Sequence, residues 1–376
     1  MQDIFIISDN ILSPIGSTTA ENFEQLKKKI SGIKKYNNTL LSDAPFSASL
    51  FSENINFIKN SRQSYTRFEQ LLIASIEEAL NKSNVNAADK KTVLIISTTK
   101  GNISLLETEA ITPDLEKRIS LSASAKLIAE YFGFINKPVI ISNACVSGIV
   151  TILTGMRLIQ SGQYENAVVA GADVISKFVL SGFQAFQATS AEPCKPFDVN
   201  RNGITLGEGA ATVVLSSKPK RSQHIKVLAG AVSNDANHIS APSRTGEELS
   251  YAITKTLNDA HLSAKDIDFI SAHGTATIYN DEMEAKAITL ANLQDTPANS
   301  LKGYYGHTLG AAGLIESIIS IHSLKENIVI PTLGFKEIGV TDPINICTDL
   351  LRGNFKNCLK TASGFGGCNA AVVFGK

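Results

Sequence analysis

Short runs of apolar, mostly β-branched residues alternate with longer amphipathic segments along the whole chain. The short runs predict strands at Ile4–Ser8, Thr92–Ser97, Pro138–Ser142, Asn166–Gly171, Thr212–Leu215, Phe269–Ser271, Cys358–Ala362 and Ala371–Phe374. The amphipathic segments predict helices at Thr19–Lys28, Tyr65–Leu80, Leu121–Tyr131, Val146–Gln160, Glu247–Asp259, Asp281–Leu290 and Ala311–His322. Strands that alternate with helices in this way predict an α/β fold with buried sheets.

Two of the predicted helices have similar surroundings. A strand leads into Cys145 and the apolar segment VSGIVTILTGMRLIQ, and much later His307 leads into GAAGLIESIISIHSL. Two halves built alike would place both side chains at helix ends where the halves meet. Apolar helices also recur by chance in α/β proteins, so this pattern alone is weak support for a duplication.

Composition narrows the class of protein. The chain has 376 residues, 43% of them hydrophobic, and its 35 basic and 35 acidic residues balance. That balance does not indicate nucleic acid or an anionic membrane as partner. No run reaches the roughly 18–20 apolar residues of a membrane span, and the acidic residues within the first apolar run argue against a signal peptide. Five cysteines at scattered spacings fit a reducing cytoplasm better than a disulfide framework or a zinc site.

Cys145 lies where a β-branched strand changes abruptly into a helix rich in small residues. The free N–H groups of a helix N-terminus favour a thiolate and can stabilise an oxyanion, so we expect a nucleophile with a lowered pKa. Taken alone, however, a single cysteine after a strand favours a buried structural residue, and that is the interpretation we give to Cys194, Cys347, Cys358 and Cys368.

Three further passages contain candidate chemistry. His273 follows a strand in HGTAT, with the hydroxyls of Thr275 and Thr277 close behind it. His307 lies in KGYYGHTLGAAG, between Lys302 and Glu316. The tail SGFGGCN surrounds a phenylalanine with glycines, which allows its backbone to approach a ligand closely. Each passage taken alone also fits an ordinary loop or hairpin.

Taken together and in this order, these passages resemble the β-ketoacyl-(acyl carrier protein) synthases of the elongating Cys-His-His class. The resemblance begins at SPIG (Ser13–Gly16), continues through KPFDVNRNGITLGEGAA (Lys195–Ala211) and reaches the last strand. It implies a thiolase-like fold of two similar βαβαβαββ halves in five layers, α-β-α-β-α. We expect an N-terminal half at residues 1–217 with the nucleophile and a C-terminal half at residues 218–376 with both histidines.

The resemblance also implies residue roles. Cys145 would hold the acyl chain as a thioester, and His273 and His307 would support decarboxylation of a malonyl thioester. Lys302 would orient the histidines, with Glu316 behind it. The remaining matched positions are Phe365, a gate whose amide joins that of Cys145 in the oxyanion hole, and the substrate-binding positions Thr275, Thr277, Phe183, Gly366 and Asn369.

The implied product is a β-ketoacyl thioester on an acyl carrier protein, in fatty acid or polyketide/polyene synthesis. No metal or other cofactor is implied, because the phosphopantetheine arm arrives on the carrier protein. The implied partners are that carrier, malonyl and acyl thioesters, and a second synthase subunit in a homodimer or heterodimer. We expect a cytoplasmic enzyme.

The sequence departs from the family pattern at several points. Ser363 replaces a phenylalanine of the gate, and Cys368 replaces a threonine, serine or histidine. Around Ser61–Glu69 and Gln187, only Arg62 and Arg67 remain of the basic residues that dock the carrier. The chain is also short around Gly101–Glu130, which leaves acyl chain length open.

Four alternatives differ from this assignment at particular residues. A synthase that starts chains uses a Cys-His-Asn site, whereas the third residue here is His307. A thiolase would need a second reactive cysteine, and Cys368 follows the glycines instead of lying among them. A chain-length partner subunit typically lacks the nucleophilic cysteine, which is present here. A Cys-His acyl-thioester hydrolase would have no use for Lys302 beside His307.

Overall fold

The computed structural model describes residues 2–52, 55, 57–58, 64–219, 224–238 and 241–376. Ten of its strands form one sheet in the order β11-β10-β14-β15-β9-β1-β8-β6-β4-β5, and the others form a three-stranded sheet, β2-β3-β7, and a β12-β13 pair. The strands are β1 Phe5–Leu12, β2 Lys34–Tyr36, β3 Phe46–Ser49, β4 Thr92–Ser97, β5 Val139–Ile141, β6 Asn166–Asp173, β7 Leu206–Gly207, β8 Gly209–Ser216, β9 Lys226–Asn234, β10 Phe269–Ser271, β11 Ala298–Asn299, β12 Ile328–Val329, β13 Leu351–Arg352, β14 Asn357–Gly364 and β15 Cys368–Gly375.

The helices pack on the faces of this sheet, and two of them lie between its two halves. They are α1 Thr19–Lys27, α2 Arg67–Ser83, α3 Leu105–Thr108, α4 Pro113–Ile119, α5 Leu121–Phe132, α6 Ser147–Gln160, α7 Lys177–Ala185, α8 Glu247–Asp259, α9 Ile278–Leu290, α10 Lys302–Tyr305 and α11 Ala312–Glu326, with short 3₁₀ turns at Ala264–Asp266 and Leu309–Ala311.

The large sheet is two copies of one five-stranded arrangement. In the first half, β1 and β6 pair antiparallel with β8, while β4 pairs parallel with β6 and β5. In the second half, β9 and β14 pair antiparallel with β15, while β10 pairs parallel with β14 and β11. The halves meet where β1 pairs antiparallel with β9 at Phe5 and Lys226. The duplicated thiolase-like fold predicted from the sequence is confirmed.

Helices α6 and α11 form the central layer between the two halves. Helix α11 is buried on nearly every side, whereas α6 buries most of its surface and leaves Val150, Thr154 and Arg157 at least partly exposed along one side. Their close approach depends on glycine: a Cβ on Gly148 would lie 2.6 Å from the Leu314 nitrogen, and one on Gly313 would lie 2.8 Å from the Ile149 nitrogen. Helices α2 and α5 cover the outer face of the first half, and α8 and α9 cover that of the second. The layers therefore follow the order α-β-α-β-α.

The pattern of apolar and polar residues predicted most of the elements correctly but missed two elements that matter for the site. Strand β9 contains alanines and a glycine, and helix α7 carries Phe183 towards the cavity described below. The predicted division between residues 217 and 218 falls between β8 and β9, where residues 220–223 lie outside the described part of the chain. That division stays a prediction.

Candidate active site

The duplication places Cys145 and His307 at equivalent points of the two halves. Cys145 lies between β5 and α6, and His307 lies between β11 and α11. The turn before the sulfur is tight: Ala144 has a left-handed φ of 43°, and a Cβ on Gly364 would lie 2.9 Å from the Cys145 nitrogen. Because L-residues other than glycine rarely adopt such angles, the surrounding contacts must hold the nucleophile in position.

Cys145 and the two histidines meet in one buried group. The Sγ atom of Cys145 lies 2.9 Å from Nε2 of His307. The ring centroids of His273 and His307 are 5.3 Å apart, with their planes at 82°. One ligand atom from each of the three residues lies within 4.8 Å of the other two. A single thioester can therefore touch all three side chains.

The electrostatics of the thiol differ from the sequence-based expectation. Burial raises the pKa of Cys145 to about 12, although Lys302 and a hydrogen bond from the Phe365 backbone amide lower it in part. The expectation of a thiol with a lowered pKa is therefore wrong, because loss of hydration outweighs the favourable helix end. The adjacent His307 nitrogen can accept the thiol proton as the sulfur attacks.

Both imidazoles are neutral at physiological pH. Burial lowers the pKa of His273 and of His307 well below the ordinary value, and the ammonium groups of Lys302 and Lys360 lower them further. The Nδ1 atoms of both rings have no hydrogen-bond partner within the described residues. Neutral rings can donate a hydrogen bond to a developing oxyanion and can also accept a proton.

A cluster of buried charges lies behind the histidines. Lys302 donates a 3.0 Å hydrogen bond to the His273 carbonyl and forms an ion pair with Glu316, so its contact is with the histidine backbone. The other carboxylate oxygen of Glu316 lies 2.8 Å from Nζ of Lys360. Lys360 was not among the residues predicted from the sequence. Its only signal was a lysine inside an apolar run on β14, where a charged residue is costly to bury.

Two further carboxylates hold the loop that contains His273. Glu284 accepts hydrogen bonds from the backbone amides of His273 and Gly274 at 2.8 and 2.7 Å. Asp281 accepts them from the amides of Thr275 and Ala276 at 2.9 and 3.1 Å. Asp281 begins a predicted helix, and neither carboxylate was among the predicted site residues. Their actual contacts fix the shape of the loop, and burial raises the pKa of Asp281 to about 7.

The three reactive side chains open into a cavity of about 300 Å³. Of the predicted site residues, those in its lining are Cys145, Phe183, His273, Thr275, Thr277, His307, Phe365 and Asn369. Gly366 is not in the lining, and its carbonyl accepts a hydrogen bond from the Asn234 side chain. Lys302 and Glu316 lie behind the lining, as described above.

The mouth of the cavity is aromatic. The ring of Phe365, 36% exposed, stacks on Phe183 at 5.5 Å and meets Phe186 edge-on at 5.4 Å. The hydroxyls of Thr275 and Thr277 are 2.9 Å apart in the same cavity and offer a polar edge to a ligand. The cavity therefore combines an apolar entrance with a few polar groups, as small-molecule sites commonly do.

The departures from the family pattern have defined positions. Ser363 donates a hydrogen bond to Asn369 at 2.7 Å, and Cys368 donates one to Asn143 at 2.8 Å. Arg67 lies 3.4 Å from Glu208 and is largely covered, whereas Arg62 lies outside the described residues. Gln187 lines the cavity. Across the described ranges, no helix is both long and apolar enough to cross a bilayer.

A duplicated α/β fold with a buried thiol and two neutral imidazoles in one apolar cavity defines a condensing enzyme of the thiolase-like class. Models of the N-terminal and C-terminal domains of β-ketoacyl synthases match residues 1–221 and 224–336. The chain belongs to the β-ketoacyl synthase family, whose members are acyltransferases that form carbon–carbon bonds.

Individual relatives agree with this assignment. The chain is similar to 3-oxoacyl-[acyl-carrier-protein] synthase 2 of Staphylococcus aureus, with 29% identity over 420 aligned positions that cover 99% of this chain and 98% of the relative. Among solved structures, the ishigamide ketosynthase/chain length factor matches with a TM-score of 0.92 and 25% identity, covering 100% of this chain and 99% of that chain. A β-ketoacyl synthase from Burkholderia phymatum, at 24% identity and a TM-score of 0.89, covers 100% of both chains and supports the fold.

Proposed function

We propose that this chain condenses malonyl-(acyl carrier protein) with an acyl group held on Cys145, with loss of carbon dioxide, to give β-ketoacyl-(acyl carrier protein). The observation that carries the proposal is the meeting of one sulfur and two imidazole rings, within 4.8 Å of one another, in a single cavity. Acyl transfer and enolate formation can then occur at one place while the acyl group stays on Cys145.

In the first half-reaction, Sγ of Cys145 attacks the acyl carbonyl carbon while His307 accepts the thiol proton across 2.9 Å. The carbon–sulfur bond to the carrier then breaks, and the departing pantetheine sulfur takes the proton from His307. The Phe365 amide, which already points at the sulfur, stabilises the negative oxygen of the tetrahedral intermediate. Thr275 and Thr277 bind the polar part of the arm.

In the second half-reaction, malonyl loses carbon dioxide and its thioester oxygen becomes an enolate. The neutral rings of His273 and His307 donate hydrogen bonds to that oxygen, which for His307 requires the tautomer with its proton on Nε2. The enolate carbon attacks the acyl carbonyl on Cys145, the thioester bond to Sγ breaks, and the sulfur regains a proton. One proton is consumed and one carbon dioxide is released for each bond formed.

This chemistry requires no metal and no redox cofactor, and the proposal assigns none. The sulfur and imidazole nitrogens are also donors that zinc accepts. An ion bound there would occupy the positions that the thioester needs, so the proposed reaction requires these atoms to be free. Phosphopantetheine enters with the carrier protein.

We further propose a cytoplasmic enzyme that works as a homodimer or as a heterodimer with a related subunit. Strand β5 supports the dimer: it ends the large sheet, and its residues Val139, Ile140 and Ile141 are only partly buried. An apolar edge strand of this kind commonly pairs with another chain. One similar solved structure, the ishigamide ketosynthase/chain length factor, carries two such subunits in its name.

The carrier protein is the remaining partner. Arg67 faces Glu208, and the exposed residues at the cavity mouth include Phe186, Ile278 and Tyr279. We propose that the carrier binds with a larger apolar contribution than a purely basic surface would provide. Synthesis of fatty acids and synthesis of polyketides are both compatible with these residues.

Mass spectrometry of protein incubated with acyl- and malonyl-carrier protein tests the proposal. We expect acylated Cys145 followed by an extended β-ketoacyl product. Cys145→Gln should abolish condensation and leave or increase decarboxylation of malonyl. Cys347→Ala, a change at a buried cysteine outside the cavity lining, serves as the matched control. Acylation without extension would favour a hydrolase or an inactive partner subunit, and undiminished condensation by Cys145→Gln would refute the proposed nucleophile.

A further inference from the structure

Lys360 is a fully buried lysine whose ammonium group contacts the strand that leads to His273. It is 0% exposed, and it donates hydrogen bonds to the carbonyls of Ser271 at 3.0 Å and Ala272 at 3.3 Å. It also donates to the carbonyl of Thr361 at 2.6 Å and forms its ion pair with Glu316. A methionine or leucine at this point of β14 would avoid the desolvation of a charge. Burial of a lysine therefore calls for a reason beyond packing.

The contacts of the buried cluster follow the backbone without a break from residue 271 to residue 274. Lys360 holds the first two carbonyls, and Lys302 holds the carbonyl of His273. Glu284 holds the next two amides, as described above, and also accepts a 2.7 Å hydrogen bond from the Thr361 hydroxyl. Two ammonium groups and the carboxylate of Glu284 thus contact one short segment, and Glu316 pairs with both ammonium groups.

We propose that Lys360 is a positioning residue of the condensing site, which fixes the backbone before His273 and so holds the two imidazole rings in their mutual geometry. This inference rests on the proposed function. It adds to that function a residue that does not line the cavity and touches neither ring.

The charge of Lys360, in addition to its hydrogen bonds, affects the histidines of the site. The titratable and charged groups that act on the His307 ring are Cys145, His273, Lys302 and Lys360. Two of these are ammonium groups, and both disfavour a proton on the imidazole. Loss of the Lys360 charge therefore raises the pKa of His307. Since His307 must be unprotonated to accept the Cys145 proton, acylation should then fail at a higher pH than in the original protein.

Lys360→Met in the full chain tests both effects together, because it leaves an unbranched side chain only one heavy atom shorter and removes the charge and the donors. We expect malonyl decarboxylation to fall by about 10- to 100-fold, as for other supporting hydrogen bonds behind a reactive group. The plateau rate of Cys145 acylation should stay within about threefold of the original, while the acid limb of its pH profile moves upward. Cys358→Ala, on the same strand and equally buried, is the matched control and should change neither readout.

Equal losses in both half-reactions with an unmoved acid limb would mean that Lys360 is merely structural, and would overturn the proposal. Unchanged decarboxylation would overturn it as well. If Lys360→Met does not fold, Lys360→Gln, which keeps a donor and removes the charge, must still move the acid limb upward. If the original protein has neither half-reaction, the proposed function fails. The Lys360 proposal is then decided by NMR titration of the His307 ring, which must show a higher pKa in the variant.

Discussion

Replacement of Glu316 by glutamine should destabilise the fold strongly, because this carboxylate lies between two buried ammonium groups. Lys302 and Lys360 are both 0% exposed, and each pairs with a different oxygen of Glu316. Removing one partner of a buried ion pair costs about 3–5 kcal/mol, since the remaining charge keeps its desolvation penalty. We expect the free energy of unfolding of Glu316→Gln to fall by about that amount at pH 7.

The loss should become smaller as the pH rises. Burial already lowers the pKa of Lys360, and attraction to Glu316 opposes that shift. Without the carboxylate, the folded-state pKa of Lys360 falls further below its unfolded value. The unfolded variant then binds more protons than the folded variant, so its stability rises with pH until the unfolded lysine itself loses its proton near pH 10.4. The recovery can reach about 1.4 kcal/mol for each pH unit.

Urea unfolding of the original protein and the variant at pH 7 and pH 9.5 measures both effects. The control is Glu326→Gln on the same helix, where Glu326 is 43% exposed and lies 3.3 Å from Lys27. A surface pair of this kind contributes about 0–1 kcal/mol, so the control should unfold almost as the original does. A loss below about 1 kcal/mol for Glu316→Gln, or a loss that does not change with pH, would refute the view that Glu316 neutralises two buried lysines.

Two further predictions concern the nucleophile. Gly364→Ala should destabilise the protein by about 1–3 kcal/mol and slow acylation of Cys145, because the added methyl group would lie 2.9 Å from the Cys145 nitrogen. The control is Gly182→Ala, whose added methyl group would meet nothing within 4 Å. Equal effects of the two changes on acylation would contradict the prediction. Alkylation of Cys145 by iodoacetamide should follow an apparent pKa above the ordinary value of about 8.5, since burial raises the thiol pKa. An apparent pKa below about 7 would instead indicate a preformed thiolate–imidazolium pair.

Much of the fold could be predicted because its local signals agree with its buried positions. Strand β4 and strand β10 have the predicted bounds: the apolar run of β4 lies between Thr92 and Ser97, and that of β10 ends at Ser271. Strand β9 was missed because its small residues lack the β-branched pattern, although they pair with β15 along nearly its whole length. That pairing is non-local, and a propensity argument cannot detect it.

Some properties of the site could likewise be predicted from the sequence, and others could not. The motifs around Cys145, His273 and His307 identify the reactive side chains, because each is a local departure from a simple strand or helix. The high pKa of the thiol and the role of Lys360 depend on burial by distant parts of the chain. Those properties arise only when β14 lies beside β10 and α11, which no single motif encodes.

The crossing of α6 and α11 connects the duplicated fold to its reactivity. Cys145 precedes one helix and His307 precedes the other, so the separation of the helices near their N-termini sets the 2.9 Å contact between sulfur and imidazole. Gly148 and Gly313 permit that separation because neither has room for a Cβ. Protein interiors are packed too densely to accept an added methyl group at such a crossing without displacement of the backbone. These two glycines therefore determine the distance over which the thiol gives up its proton, although neither lies in the lining of the cavity.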